Sequence, residues 1–177
     1  MQHRSDWDHY WMSITKITSS RSTCLSRHVG AILVKNNQIL SSGYNGALPG
    51  QRHCCDDPNG CYRRYMNISD SNKYDLCKAS HAEANAIALA AKSGICVDGS
   101  TLYCTLSPCF TCSKVIIMAG VKRVVVEMLY ESPNKQRDEM WLQFLKENDI
   151  DFKTLNLEGC LEDLVTSLNN GTSNRKI

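Results

Sequence analysis

The chain has no apolar run approaching the ~18 residues that a membrane-spanning helix needs. Its opening residues, Met1-Gln2-His3-Arg4-Ser5-Asp6, are polar and lack the apolar stretch of a secretory leader. Nor does one sign of charge dominate: 20 Lys and Arg against 18 Asp and Glu leave a net charge of +2 at pH 7. Proteins that bind nucleic acid usually show a strongly basic face, whereas the paired cations Arg63-Arg64 and Lys122-Arg123 read as solvated surface. No internal repeat is visible. These absences leave a soluble, intracellular protein of the cytoplasm as the expectation, with no membrane and no nucleic-acid partner. Its 177 residues suit one domain with a single sizeable core.

Ten cysteines, about 6% of the chain, fall below the level that signals a disulfide scaffold. In a reducing compartment such thiols stay reduced or bind metal. The sequons at Asn67 and Asn170 are then chance matches.

What is present is a pair of motifs. His81-Ala82-Glu83 is followed after 24 residues by Pro108-Cys109-Phe110-Thr111-Cys112. One imidazole and two thiolates are a zinc donor set, and a catalytic zinc keeps its fourth position for water. Such a site lowers the pKa of that water toward neutrality. A carboxylate that is not a ligand must then move protons from the water to a leaving group. His81, Cys109 and Cys112 fit the ligand roles and Glu83 fits the shuttle. Ser107 as N-cap and Pro108 as first helical residue predict a helix bearing both cysteines on one face. Ser80 predicts the start of a second helix, with Ala84 to Ala91 as its body.

Each piece alone has a plainer reading. Ser80-x-x-Glu83 is also a capping box, in which Glu83 only returns a bond to the Ser80 N–H. Cys109-x-x-Cys112 alone serves as a redox pair or half of a structural site. A closed structural site, in a zinc-stabilised binding module, needs a fourth protein ligand and gives Glu83 no role. The joint pattern favours catalysis.

Elsewhere the spacing is informative but less specific. Trp7, Tyr10, Trp11, Ile14 and Ile17 recur at helical period, with the aromatics expected in the core. Val29 to Val34, an Asn36-Asn37 turn and Gln38 to Tyr44 read as a hairpin. Pro49 to Tyr74 has no clean period, which is suspicious in a compact domain unless function or metal holds it. Strands are expected at 101–104, 122–128 and 151–155. Helices are expected from Cys109 to Gly120, from 136 to 146, and around Leu161, Leu164, Val165 and Leu168. Strands alternating with helices imply an α/β layered fold.

Cys24, Cys54, Cys61 and Cys77 form a second set of soft ligands around the irregular stretch, with His53 and Cys55 as substitutes. Buried free thiols are the plainer reading. Cys96, Cys104 and Cys160 are expected as core thiols.

Four strings carry a resemblance: Val29-Gly30-Ala31, Ser42-Gly43-Tyr44-Asn45-Gly46, His81-Ala82-Glu83-Ala84-Asn85-Ala86 and Thr105-Leu106-Ser107-Pro108-Cys109. From about Thr23 to Tyr130 the chain resembles the cytidine deaminase superfamily, and within it the deoxycytidylate (dCMP) deaminases. The resemblance implies a three-layer α/β/α fold with a central mixed sheet of about five strands. It implies one deaminase domain over 1–168, with an irregular cysteine-rich insert at about 47–78 and a polar tail over 169–177. It implies zinc-dependent conversion of dCMP to dUMP, which supplies precursor for thymidylate synthesis. Asn45, Ala82 and Tyr130 would contact the substrate. Gly43, Tyr44, Gly46 and Gly50 would form a triphosphate effector site between subunits of a homo-hexamer, where dCTP activates and dTTP inhibits, with magnesium. An additional structural zinc would sit on Cys24 and Cys54, with far-side ligands that vary. Arg21, Arg27, His28 and Lys114 are candidates for the phosphate. Deamination of a tRNA adenosine or of free cytidine are the enzyme alternatives.

Overall fold

Residues 5–69, 76–130, 134–159, 161–162 and 164–166 are described in the computed structural model. Asp6 caps the first helix, α1 (Trp7–Ser19), where its carboxylate accepts the His9 N–H at 2.9 Å. Only part of the expected apolar face is core. Trp11 and Met12 are buried, while Trp7, Tyr10 and Ile17 are 47, 39 and 62% exposed. Trp7 and Tyr10 lie against the Trp11 ring instead, with centroids 5.6 and 4.6 Å away, so they shield one aromatic rather than fill the interior.

The hairpin β1 (Gly30–Lys35) and β2 (Gln38–Tyr44) forms as expected. Asn36 and Asn37 turn it at φ of 52° and 56°, a primed turn that Asn tolerates. After it, β3 (Gly46–Ala47) pairs antiparallel with β4 (Ala79–Ser80). The irregular segment between these short strands is therefore an excursion closed at its neck. Among its described residues it carries one short helix, α2 (Tyr62–Tyr65).

Two helices begin later than expected. In α3 (Ala82–Lys92) the N-cap is His81, because the backbone of Ser80 is already paired with Gly46; no Ser80–Glu83 capping box forms. In α4 (Phe110–Met118) the N-cap is Cys109. Ser107 is engaged elsewhere: its N–H donates to the Met128 carbonyl at 2.9 Å and its hydroxyl accepts the Tyr130 N–H at 2.8 Å. Gly120, with φ 80°, ends this helix as expected.

The remaining elements are β5 (Thr101–Leu106), β6 (Arg123–Met128), α5 (Lys135–Glu147) and β7 (Asp151–Thr154). The five-stranded sheet runs β2-β1-β5-β6-β7. β1 is antiparallel to both neighbours, and β5, β6 and β7 are parallel. Alternation along the strands builds two cores. Ile32, Val34, Tyr103 and Val125 pack with Trp11 and Met12 of α1 on one face. Ala31, Leu33, Leu102, Cys104, Val124 and Val126 pack with α3, α4 and α5 on the other. The result is the mixed α/β architecture in three layers.

Past β7, residues 161–162 and 164–166 are helical, with Leu161 and Leu164 half-buried and Val165 exposed. Cys160, Leu168 and the tail at 169–177 lie outside the described residues. Among the described residues no helix is long and apolar enough to cross a membrane.

Two glycines set the distance between layers. A Cβ on Gly30 would meet the Thr15 carbonyl and lie 2.6 Å from the Ser19 nitrogen of α1. A Cβ on Gly43 would meet the Ala82 carbonyl and lie 2.5 Å from the Ala86 nitrogen of α3. Ser41 reinforces the second contact, its hydroxyl donating to the Ala86 carbonyl at 2.7 Å.

The foot of α1 is tied to the sheet by charge. Asp8 accepts from Arg123 at 2.7 and 2.8 Å, from Lys153 at 2.7 Å and from the Tyr103 hydroxyl at 2.8 Å. The Arg123 guanidinium holds the Asp8 carboxyl well below the usual carboxylate range, against the opposing effect of burial. A pKa lower in the folded chain than the ~3.9 of the unfolded one stabilises the fold above that value and stops doing so as pH falls toward the folded one. Asp8→Asn is expected to cost about 1.5–3 kcal/mol at pH 7, the scale of hydrogen bonds to a charged group. Urea unfolding of both proteins should show that difference shrinking below about pH 4. A difference that stays constant with pH contradicts the assignment.

Candidate metal centre and cleft

His81 and Cys109 stand at the N-caps of α3 and α4, and Cys112 lies in the first turn of α4. The His81 Nδ1 is 3.6 Å from the Cys109 Sγ and 3.4 Å from the Cys112 Sγ. Zinc bonds of ~2.1 Å to nitrogen and ~2.3 Å to sulfur at tetrahedral angles give an N···S edge of ~3.6 Å. The trio therefore fits zinc in size as well as in chemistry, with one position left over. Among the described residues it is the one group of three such side chains whose donor atoms all lie within 4.8 Å of one another.

The electrostatics agree. Cys109 is pulled down to about 4, chiefly by the hydrogen bond from Cys112, with His81 assisting. Cys112 keeps the shared proton and is pushed up. The hydrogen bond to Cys109 raises His81. A coordinated dication would hold both cysteines as thiolates. Both helix starts also direct their positive ends at the thiolates.

Glu83 lies two residues after His81 and is 4% exposed. Burial pushes its carboxyl up, and its own N–H partly offsets this. Beneath it Cys104 is buried, as expected of a core thiol, and burial raises it well above the usual thiol range. Cys96 is exposed, not a core thiol, because it sits in the loop between α3 and β5. Cys160 is not among the described residues.

A cleft of about 340 Å³ opens above Glu83 and His81. Its walls include Asn45, Ala82 and Tyr130, the three expected substrate contacts. Asn45 also braces the wall: its Oδ1 accepts the Val29 N–H at 2.9 Å and the Ser22 hydroxyl at 2.6 Å, and its Nδ2 donates to the Arg27 carbonyl at 2.9 Å. The Arg27 guanidinium lies over the Tyr130 ring at 4.9 Å. Of the phosphate candidates Arg27 lines the cleft, and Arg21, His28 and Lys114 do not. Gly43, Tyr44, Gly46 and Gly50 are also off its wall. Gly43 packs on α3, Gly46 on Thr23, and Gly50 turns in open space at φ 82°. The Tyr44 carbonyl accepts from Asn85 of α3 at 2.8 Å.

The motif reading missed Arg63, Arg137, Asp138 and Trp141, which also line the cleft. The Arg63-Arg64 doublet was a signal, but its side chains were assigned to solvent. Trp141 is bolted to the metal helix, its indole N–H donating to the Ser113 hydroxyl at 2.9 Å.

Cys24, Cys54, Cys61 and Cys77 come near one another, but no three donor atoms among these thiols and His53 all lie within 4.8 Å of one another, as those of the His81 trio do. Burial, and then the nearness of Cys61, Cys24 and Cys77, push the Cys54 thiol up. Cys24 accepts the Ser26 N–H at 3.4 Å, and Cys24 and Cys77 line the cleft. The His53 Nδ1 is buried without a hydrogen-bond partner, and Cys55 is exposed.

Comparison with known proteins points the same way. The family model for the cytidine and deoxycytidylate deaminase zinc-binding region matches residues 5–128. The chain is 38% identical over 123 residues to a deoxycytidylate deaminase of Mycobacterium phage D29, covering 69% of this chain and 94% of that one. It is 36% identical over 127 residues to the deoxycytidylate deaminase of Schizosaccharomyces pombe, covering 72% of this chain but 38% of that longer protein. The match spans a similar 39% of the Saccharomyces cerevisiae enzyme. Among solved structures, the dCMP deaminase of cyanophage S-TIM5 in complex with dCMP and dUMP aligns with TM-score 0.67 and 32% identity, over 86% of this chain and 99% of that one.

Proposed function

The chain belongs to the cytidine and deoxycytidylate deaminase family, and from that membership we propose that it hydrolyses dCMP to dUMP and ammonia. The observation that carries the reading is Glu83. It is a buried carboxyl that is not one of the three ligands, set in the first turn of the helix whose N-cap is His81. A closed structural site would have no use for it.

His81, Cys109 and Cys112 would hold the zinc, which when bound would supply a water ionised near neutral pH. Glu83 carries the protons. It takes one from the water, protonates N3 of the pyrimidine, and passes a proton on to the departing 4-amino group. The C4–N bond breaks, a C4–O bond forms, and ammonia leaves with the protons delivered to it. Burial raises the Glu83 pKa, which makes its acid form easier to reach during this relay. Backbone N–H groups near Ala82 and Cys109, at the starts of α3 and α4, orient the base. Asn45 and Tyr130 serve the sugar side. We read residues 1–168 as the single deaminase domain, with 47–78 as its insert, at work in the cytoplasm.

The insert takes a second zinc on Cys24, Cys54, Cys61 and Cys77 in this proposal. The nearness of Cys61, Cys24 and Cys77 to Cys54 supports it, and the metal would have to draw the sulfurs closer than they stand here. Regulation is proposed at the Gly43, Tyr44, Gly46 and Gly50 loop, between subunits of a hexamer, by dCTP and dTTP with magnesium. The Asn85 bond to the Tyr44 carbonyl supports a route from that loop to the helix bearing His81 and Glu83.

Glu83→Gln should keep its zinc and lose at least ~10²-fold in turnover. Near-normal ammonia release by that variant, at unchanged metal content, contradicts the mechanism. Elemental analysis should find about two zinc per chain, and about one after Cys54→Ser, with melting lowered. One zinc in fully active parent protein removes the second site. The effectors should shift dCMP affinity in opposite directions by roughly 5- to 150-fold. Replacing Tyr44 by Ala should blunt that response more than basal turnover, in an assembly that light scattering weighs as a hexamer. Hyperbolic kinetics indifferent to both triphosphates would leave the deaminase and remove its regulation.

A further inference from the structure

We infer that Trp141 is a positioning residue for the nucleotide: by bonding its indole N–H to Ser113 it locks α5 against the metal helix, and the wall so locked sets the affinity of the cleft for its substrate. The inference rests on the dCMP reading and names a residue that lies outside both motifs.

Trp141 and Leu145 are the buried residues of α5. The Gln143–Glu147 and Asn148–Phe144 bonds of that helix stay inside it and hold nothing else. Its aromatic rings reach outward. The Trp141 ring meets Phe152 of β7 edge to face, with centroids 5.2 Å apart. Phe144 meets Phe110, the first residue of α4, at 5.4 Å. Apolar contact is non-directional, so ring pairs by themselves leave a helix room to slide or roll. The bond from the Trp141 N–H to the Ser113 hydroxyl, at 2.9 Å, is directional and removes that freedom. Ser113 is fully buried, so water cannot take the place of the indole. It also follows Cys112 directly on α4.

The same residue stands on the cleft wall, with Leu142 beside it in sequence and Leu106, Phe110 and Leu129 from other parts of the fold. These five apolar side chains suit the flat faces of a pyrimidine nucleotide, while the metal ligands and Glu83 serve its reacting edge. A wall of this kind contributes affinity only by close fit, because dispersion is lost steeply across a small gap. Its position therefore matters. The Trp141–Ser113 bond sets that position from a helix that also carries a metal ligand. Apolar contact is much the same before and during the reaction, so it acts on KM more than on kcat.

The test is steady-state kinetics on dCMP and a fluorescence titration with dUMP, on the zinc-loaded parent, Trp141→Phe, Ser113→Ala and the double variant. Zinc content and melting temperature are read alongside. In the parent, dUMP should change the indole emission, because Trp141 is the tryptophan on the cleft wall. Trp141→Phe should abolish that change. Trp141→Phe keeps a ring and Ser113→Ala keeps the helix. Each should raise KM for dCMP roughly 3- to 10-fold, the scale of one neutral hydrogen bond, with a smaller effect on kcat and no loss of zinc. Ser113→Ala should weaken dUMP binding by a similar factor. The double variant should be no worse than the more impaired single one, since both remove the same bond. A lower melting temperature at unchanged KM means a merely structural bond and overturns the inference. So do additive losses in the double variant, a fall in kcat at unchanged KM, and a parent emission indifferent to dUMP. In each of these cases parent turnover of dCMP upholds the functional reading. A parent that does not deaminate dCMP overturns that reading and this inference with it.

Discussion

Gly43 brings the backbone of α3 so close to β2 that a single methyl group would strike the Ala82 carbonyl and the Ala86 nitrogen. The start of α3 is therefore set by the sheet, not by its own capping residues. The same sheet delivers α4 directly from the end of β5, with Ser107 hooked to Met128 and Tyr130 before the helix begins. Two helix N-termini consequently meet where three soft ligands can face one another at 3.4 and 3.6 Å. If either helix slid along the sheet, the donor set would open and the carboxyl of Glu83 would lose its place beneath it.

Placing Glu83 in the first turn after a ligand has a chemical consequence. Full desolvation would normally be unfavourable for a carboxylate. Here the neighbouring His81, the residue's own N–H and Cys112 offset part of that penalty. What remains is a carboxyl raised above its ordinary pKa, which would suit the proton carrier of the proposed reaction. Trp141 completes the arrangement from the far side. Its bond to Ser113 fixes α5 to the metal helix and so sets one wall of the cleft.

The excursion between β3 and β4 follows a different logic. Its described residues hold little regular structure, and a segment of that kind is ordinarily mobile. Here its neck is closed by a two-strand ladder, and the Arg64 guanidinium ties α2 to the Ser26 hydroxyl. These ties bring Arg63, distant in sequence from both motifs, to the wall of the cleft.

The chemistry was legible in the sequence because it is local. A His-x-Glu and a Cys-x-x-Cys each place their side chains within one helical turn, so spacing alone predicts which groups share a site. The α/β class and the hairpin were legible for the same reason, through period and turn residues such as Asn36 and Asn37. What was misread depended on contacts across the fold. Ser80 and Ser107 look like caps, but pairing with Gly46 and with the end of β6 takes them first. Trp7 and Tyr10 have core-like spacing, but α1 lies on the sheet through its Trp11 face. Cys96 looks like any other thiol until the loop after α3 leaves it in solvent. Arg63 and Arg64 are indistinguishable as a doublet, and only the seating of α2 sends one to the cleft and the other to the surface. Ligand identity and element type follow from neighbours along the chain, whereas which polar group caps, which aromatic is buried and which arginine reaches the cleft are decided by packing partners tens of residues away.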